Sequence, residues 1–160
     1  MENSYNVFIS HYGQDDEHVQ SIKQRLIDNG YIVRNFSVDS TNHRDGTKPS
    51  DAVVERLLRM RISWSSTIIC LISPDTHTRP WVNYEITEAH NQGKRIVGVF
   101  LKTCYNTVEL PKSFKKYGGT PLGWNSLDKL GDAIEGKNIP AENPDGTSRT
   151  PIFKIKRVKC

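Results

Sequence analysis

Several features that define common protein classes are missing or rare in this chain. The three cysteines among its 160 residues, Cys70, Cys104 and Cys160, are odd in number and widely spaced, which argues against a disulfide framework. Together with the five histidines they show no paired ligand spacing, so no metal site is predicted. No apolar run reaches the roughly 18 residues of a membrane span, and the N-terminus lacks a secretory signal. We therefore expect a cytoplasmic protein without a membrane partner.

A glycine-rich phosphate loop is also missing. The turn after the first predicted strand, SHYGQDD, holds one glycine, and no G-x-G-x-x-G sequence opens a helix. That loop cradles the phosphates of a dinucleotide cofactor. Its absence argues against a dinucleotide held as a bound redox cofactor.

The formal net charge of +4 is unevenly distributed. Residues 137–160 hold six Lys or Arg against two acidic residues, which leaves residues 1–136 neutral. A nucleic-acid groove across the domain is therefore not predicted. We expect one domain, residues 1–136, followed by a basic C-terminal extension, residues 137–160, for which a solubilising tail is the simplest interpretation.

Apolar runs rich in strand formers alternate with segments of helical periodicity. The predicted strands are Tyr5–Ser10, Tyr31–Phe36, Ser66–Ser73 and Arg95–Leu101, and the predicted helices are Asp15–Asn29, Ser50–Ile62, Thr78–Gln92 and Leu127–Ile134. A short edge strand is expected within residues 118–124, where Pro121 bars a central position. This alternation predicts an α/β, doubly wound, flavodoxin-like parallel sheet of about five strands with helices on both faces.

Other segments give weaker expectations. The second predicted helix should turn four apolar residues inward, Val53, Val54, Leu57 and Leu58. Ser37–Pro49 and the segment from residue 102 through Lys116 are expected to be loops. Residues 139–151 hold three prolines and are interpreted as a linker or as a segment that wraps around the domain.

The predicted sheet has one natural place for a ligand. In doubly wound sheets, ligands bind beyond the carboxyl ends of the strands, where the winding direction reverses. With strand order 2-1-3-4-5, that switch point lies between the first and third strands. There the loop Ser10-His11-Tyr12 meets the segment that begins at Ser73.

The third predicted helix carries a carboxylate toward the same place. At about 100° per residue, the buried face of this helix is centred on Val82, Ile86 and Ala89. Glu85 lies on the flank of that face, on the side of Trp81, whereas Asn83 and Thr87 should point to water.

A single carboxylate at such a position suits one kind of reaction. Most glycosidases need two carboxyl groups because the leaving oxygen must be protonated. The nicotinamide of NAD leaves its ribose as a neutral base, so one preorganised carboxylate can stabilise the sugar cation, while Tyr12, Trp81 or Tyr84 could stack on a ring. The residues alone also allow an ordinary structural glutamate at position 85, a core tryptophan at 81 and a backbone-bonded loop histidine at 11.

Two stretches resemble the TIR domain superfamily. YNVFISHYGQDDEHVQSIKQRLIDNGYIV is similar to the opening of a TIR domain, and STIICLISPDTHTRPWVNYEI is similar to the third strand, its Ser73 and the Trp-to-Glu motif of NAD-consuming TIR enzymes. The RPWVNYEI segment is most similar to the stand-alone TIR-like ThsB proteins of bacterial Thoeris anti-phage defence. The resemblance covers about Tyr5 to Leu101.

This resemblance implies a function and a set of site residues. It implies cleavage of NAD at the nicotinamide–ribose bond, with NAD as substrate and no cofactor. The ADP-ribose part then becomes a cyclic or conjugated signal for a separate effector protein. Self-association is also expected, because TIR enzymes often complete their sites across a subunit contact. Glu85 matches the catalytic glutamate and Trp81 the aromatic before it; the substrate-binding positions are Ser10, His11, Tyr12, Ser73 and, in the loop that closes over the site in relatives, Asp39 and Asp45.

Three alternatives remain open at the level of sequence. Many TIR domains are non-enzymatic scaffolds that signal by association. A nucleoside deoxyribosyltransferase-like enzyme would also have a flavodoxin-like sheet and one key glutamate. A response-regulator receiver would explain the acidic pair Asp15 and Asp16, but it needs an aspartate where Ser73 ends the third strand.

Overall fold

A computed structural model describes residues 5–11, 16–35, 51–74, 76–101, 108–117, 119–137 and 139–148. Within these ranges no helix has the length and apolar character needed to cross a membrane. Their His, Cys, Asp and Glu side chains form no group of three or more that could hold a metal ion. The predicted loop Ser37–Pro49 and the last residues, IFKIKRVKC, lie outside the described residues.

Strands and helices alternate along the described chain, as the apolar pattern predicts. The strands are β1 (Asn6–Ser10), β2 (Ile32–Asn35), β3 (Thr67–Ile72), β4 (Arg95–Phe100) and β5 (Thr120–Leu122). The α-helices are α1 (Asp16–Asp28), α2 (Asp51–Trp64), α3 (Pro80–Asn91), α4 (Lys112–Tyr117) and α5 (Leu130–Ile134), with short 3₁₀ helices at Thr76–Thr78 and Trp124–Lys129. The turn after α1 contains Gly30 with φ of 90°, a left-handed conformation that favours glycine.

The sheet has the order β2-β1-β3-β4-β5, and every pairing between these strands is parallel. This confirms the predicted doubly wound, flavodoxin-like fold. The winding direction reverses between β1 and β3, where Ser10 lies opposite Cys70 in the register. The predicted switch point is therefore present, at the carboxyl ends of these two strands.

The two faces of the sheet bury different side chains, because successive residues of a strand point to opposite faces. Val7 and Ile9 join the core cluster that packs against α1 and α5. Phe8 belongs to the cluster on the opposite face, which includes residues of α2 and α3. Cys70 lies in a neighbouring cluster with residues of α3 and α4. The alternation thus directs the side chain of Ser10, two residues after Phe8, toward α3.

The edge strand is confirmed, and the loop predicted next to it is partly wrong. Thr120–Leu122 pairs with β4 at the edge of the sheet, where Pro121 is tolerated. The segment before it contains α4, six residues long, where we expected only a loop. Phe114 on this helix is fully buried in the core, against the backbone of Gly98 and Gly119, which leave it room.

Two expectations about helix faces are also wrong. Asn83 does not point to water, because its Oδ1 accepts hydrogen bonds from the Ser113 backbone N–H, at 3.0 Å, and the Ser113 hydroxyl, at 2.7 Å. Val53 is 48% exposed, whereas Val54 and Leu58 are buried as expected. On a helical wheel Val53 lies about 140° from Leu58, too far around α2 to reach the same core.

Residues 139–148 pack onto the domain. Ile139 contacts the core cluster beside α5. Glu142 is buried and accepts hydrogen bonds from the Gly123 backbone N–H, at 3.0 Å, and from the Lys129 ammonium, at 2.9 Å. Of the two interpretations of this segment, a linker or a wrap, the described part has the contacts of a wrap.

Candidate active site

The candidate site lies at the carboxyl ends of β1 and β3. Ser10 is the last residue of β1 and is fully buried, and His11 directly after it is 5% exposed. Ser73 follows the end of β3 and is also buried. The structure thus places three of the predicted site residues at one edge of the sheet, as expected for neighbouring parallel strands.

The loop after β3 is held in a compact turn by a pair of hydroxyl groups. The Ser73 backbone N–H donates to Thr76 Oγ1 at 2.8 Å, and the two side-chain oxygens are 2.9 Å apart. The Thr76 hydroxyl also reaches the Leu71 carbonyl at 3.3 Å. The Ser73 hydroxyl is therefore already engaged within its own turn, and its role in substrate binding stays a prediction.

This turn determines where α3 begins. Arg79 has an extended backbone, with φ of −92° and ψ of 112°, and Pro80 takes the first helical position. Proline suits that position because its ring sets φ near the helical value and no N–H is needed there. The helix therefore starts close to the end of β3 and runs back across the sheet with Val82, Glu85, Ile86 and Ala89 buried.

Glu85 is buried more deeply than the helical wheel predicted. The wheel places it on the flank of the apolar face, and in the structure only 2% of the residue is exposed. Its Oε2 atom is buried without a hydrogen-bond partner, and so is the Oγ atom of Ser10. A buried polar atom without a partner is costly for stability, so such atoms often mark a functional position.

The surroundings of Glu85 favour its neutral form. Burial raises the pKa of the Glu85 carboxyl from 4.5 to about 8, and the nearby Ser10 hydroxyl partly offsets this increase. Burial, with a smaller contribution from Glu85, also raises the pKa of the Cys70 thiol, which is therefore neutral. A strongly perturbed carboxyl at the switch point of such a sheet is a candidate functional group on physical grounds.

Trp81 stands on the same helix, one turn before Glu85. Its ring is partly buried and meets the Tyr84 ring edge-to-face, with centroids 5.6 Å apart and planes at 81°. Both rings pack against the core cluster that includes Phe8 and Leu58. Trp81 thus serves at least in packing, and its contact with a substrate ring stays a prediction.

Three predicted site residues, Tyr12, Asp39 and Asp45, lie outside the described residues. Their assignment to substrate binding stays a prediction. Conversely, two buried residues around the site had no assigned role, Cys70 beside Glu85 and Thr76 in the turn after β3. The Ser-x-x-Thr spacing from Ser73 to Thr76 was the available signal for the second, because hydroxyl side chains three residues apart often bond within one turn.

These observations describe one type of protein. It is a five-stranded, doubly wound α/β protein with one buried carboxyl group at the switch point between β1 and β3.

Similarity to known proteins agrees with this class. The family described as "Thoeris protein ThsB, TIR-like domain" matches residues 8–104. A Bacillus cereus (strain MSX-D12) protein with the name "Putative cyclic ADP-D-ribose synthase ThsB1" is 30% identical over 132 residues, which cover 78% of this chain and 62% of that protein. The chain thus spans less than two thirds of the length of this curated relative. The chain belongs to the ThsB family of TIR-like domains.

A solved TIR domain shows the same architecture. The TIR domain of the Toll-related receptor TRR-2 from Hydra magnipapillata superposes with a TM-score of 0.52 at 18% identity, over 82% of this chain and 94% of that chain. A Clostridium botulinum CMP N-glycosidase, BcmB, superposes with a TM-score of 0.48 at 18% identity, over 79% of this chain and 98% of that chain. At these identities the likeness to the receptor domain concerns the fold alone, and the second score is too low to support an inference.

Proposed function

We propose that this protein cleaves NAD at the bond between nicotinamide and ribose, in the cytoplasm, and that Glu85 is the catalytic residue. The ADP-ribose part then becomes a signal molecule, cyclic or conjugated, that activates a separate effector protein in anti-phage defence. Membership of the ThsB family and the name of the Bacillus cereus relative support this proposal. The observation that carries it is the burial of a lone, unpartnered carboxyl oxygen of Glu85 at the switch point.

The proposed reaction balances without an acid catalyst. The bond between ribose C1′ and the pyridinium nitrogen breaks, and its electron pair leaves with nicotinamide as a neutral base. The ribose is left as an oxocarbenium-like cation, which the negative charge of Glu85 stabilises. The low dielectric constant of the buried site strengthens this attraction. Water then adds at C1′ and releases a proton, giving ADP-ribose, or a nucleophile within the same molecule adds and closes a ring.

The site residues supply binding as well as charge. Ser10 and His11 bound the site at the end of β1, and a stacking ring from Trp81 or Tyr12 is proposed for the nicotinamide or adenine. Asp39 and Asp45 are proposed to reach the substrate from the predicted loop Ser37–Pro49. Because TIR enzymes often complete their sites across a subunit contact, we also propose that the active form is self-associated.

The test is nicotinamide release from NAD. Purified protein is mixed with NAD, with and without lysate of phage-infected cells, and the small molecules are identified by mass spectrometry. We expect nicotinamide together with ADP-ribose or a product one water lighter. Glu85→Gln should abolish both, because the amide cannot balance a sugar cation.

A matched control comes from the same helix. Glu88→Gln changes a partly exposed glutamate that bonds to Gln92 at 3.0 Å on the outer side of α3, and it should retain the activity. Equal nicotinamide release by Glu85→Gln and the unchanged protein would remove Glu85 from the mechanism. Full anti-phage defence in cells that carry Glu85→Gln would instead favour a non-enzymatic scaffold, and base exchange between nucleosides without loss of NAD would favour a deoxyribosyltransferase-like enzyme.

A further inference from the structure

Ser10 and Glu85 are brought together by the geometry of β1, β3 and α3. Ser10 lies opposite Cys70 in the register of the two strands, and strand alternation directs its side chain to the face that α3 covers. Glu85 belongs to the buried side of α3 that packs on this face. The Ser10 hydroxyl lowers the pKa of the Glu85 carboxyl, and Glu85 in turn raises the pKa of the Cys70 thiol. The three buried groups therefore form one cluster.

The polar atoms of this cluster are unusually poorly satisfied. Ser10 Oγ and Glu85 Oε2 are both buried, and neither has a hydrogen bond of regular geometry. A serine hydroxyl can rotate about its C–O bond and can donate one hydrogen bond. A carboxylate that loses water on burial gains most from such a donor. The two atoms are therefore suited to each other once Glu85 carries a charge.

We propose that Ser10 is a positioning residue, whose hydroxyl donates a hydrogen bond to the Glu85 carboxylate whenever Glu85 is ionised, the form that a cationic ribosyl-pyridinium substrate requires. This inference rests on the proposed function and deepens it, because it assigns to Ser10 the control of the charge on Glu85. The substrate brings a positive charge into the site, Glu85 releases its proton to solvent, and the Ser10 hydroxyl holds the resulting anion in one orientation.

Among the described residues, the ends of β1 and β3 each add a titratable side chain near this cluster. Cys70 faces Glu85 from β3, but its buried thiol is neutral because burial raises its pKa. His11 follows Ser10 at the same edge and is buried. On α3 itself, Glu88 follows Glu85 by three residues and lies on the outer side of the helix, where it accepts a hydrogen bond from Gln92. Ser10 is the group among these that lowers the pKa of Glu85.

The test compares pH profiles of kcat/KM for NAD cleavage. In the unchanged protein kcat/KM should rise with pH through a midpoint near the Glu85 pKa of about 8, because kcat/KM reports the ionisation of the free enzyme. Ser10→Ala should move this midpoint up by about one pH unit, so that activity at pH 7 falls about tenfold and is recovered at higher pH. Ser10→Thr keeps the hydroxyl and should restore the original midpoint.

A buried serine at the other end of the sheet provides the control. Ser65 is 2% exposed, and its hydroxyl donates to the Ile62 carbonyl at 2.7 Å, before β3 begins. Ser65→Ala removes a buried hydroxyl far from the site, so it should leave the midpoint unchanged even where it lowers stability. A Ser10→Ala protein that loses activity by the same factor at every pH would overturn the inference, because that result indicates a structural defect only.

A second measurement is independent of catalysis. The side-chain carboxyl carbons of ¹³C-labelled glutamates are titrated by NMR, and the Glu85 signal is identified by its loss in Glu85→Gln. We expect the Glu85 midpoint to be higher in Ser10→Ala than in the unchanged protein, and identical midpoints would refute the role of Ser10. If no nicotinamide is released by any variant but the midpoint still shifts, the proposed function fails while the link between Ser10 and Glu85 stands.

Discussion

Replacing Glu85 by glutamine should make the protein more stable at neutral pH while it removes the activity. The structure predicts this because a fully buried carboxyl with a raised pKa binds its proton more tightly in the folded state than in the unfolded state. As pH rises from 4.5 toward about 8, the unfolded chain ionises first, so the unchanged protein loses stability over that window. Glutamine has nearly the same shape and does not ionise, so the variant does not undergo this loss.

The magnitude follows from the two pKa values. A difference of about 3.5 pH units at about 1.4 kcal/mol each amounts to about 5 kcal/mol when both states are fully ionised. At pH 7 Glu85 is still mostly protonated in the folded protein, whereas it is ionised in the unfolded chain. The stability lost at this pH is therefore about 3 kcal/mol. The advantage of Glu85→Gln should therefore be near zero at pH 4 and about 3 kcal/mol at pH 7.

The assay is urea unfolding followed by circular dichroism at a series of pH values. The free energy of unfolding of Glu85→Gln is compared with that of the unchanged protein and of Glu88→Gln, which alters a partly exposed glutamate on the same helix. Only Glu85→Gln should gain on the unchanged protein as pH rises. A difference between these two proteins that stays constant from about pH 5 to pH 8 would refute the reasoning, because it would show that Glu85 is not held neutral by burial.

Three further predictions concern other contacts of the fold, and each is measured as a change in the free energy of unfolding. Glu142→Gln should cost about 1–3 kcal/mol at pH 7 and less near pH 3. Burial raises the pKa of Glu142, but its hydrogen bonds outweigh this and hold the pKa below its ordinary value of 4.5, so the stabilisation declines below pH 4.5 and is lost as pH falls through the lowered pKa. An equal cost at both pH values would contradict this. Gly98→Ala should cost about 1–3 kcal/mol, because the added Cβ would lie 2.6 Å from the buried ring of Phe114, and a neutral result would show that the ring can move. Asn83→Ala should cost about 1–2 kcal/mol through its two hydrogen bonds with Ser113, and an unchanged stability would mean that water replaces them.

Most of the fold could be predicted from local patterns. The strands β3 and β4 are short apolar runs, and the helices that alternate with the strands show a regular apolar face, so the parallel sheet follows. The edge position of β5 was predictable from Pro121 alone, because proline cannot donate to a central ladder. Helix α4 was missed because its six residues are too few to show a helical period.

The candidate site could be predicted in part, for a related reason. The spacing of Trp81 and Glu85 along α3 and the position of Ser10 at the end of β1 are local facts of the sequence. The exposure of Val53 on α2 could not be predicted in this way. The sequence does not indicate whether another element covers an apolar residue that is adjacent to a buried one.

The amino-acid pattern was enough to predict the strands and every α-helix except α4, the switch point between β1 and β3, and one glutamate on the inner flank of α3. The assembled fold was needed to show that Glu85 is almost completely buried, that Ser10 and Cys70 lie near it, and that Asn83 accepts hydrogen bonds from the start of α4. The physical reason is that periodicity depends on neighbours along the chain, whereas burial and pKa depend on side chains from strands and helices that are distant in sequence and meet only when the sheet is assembled.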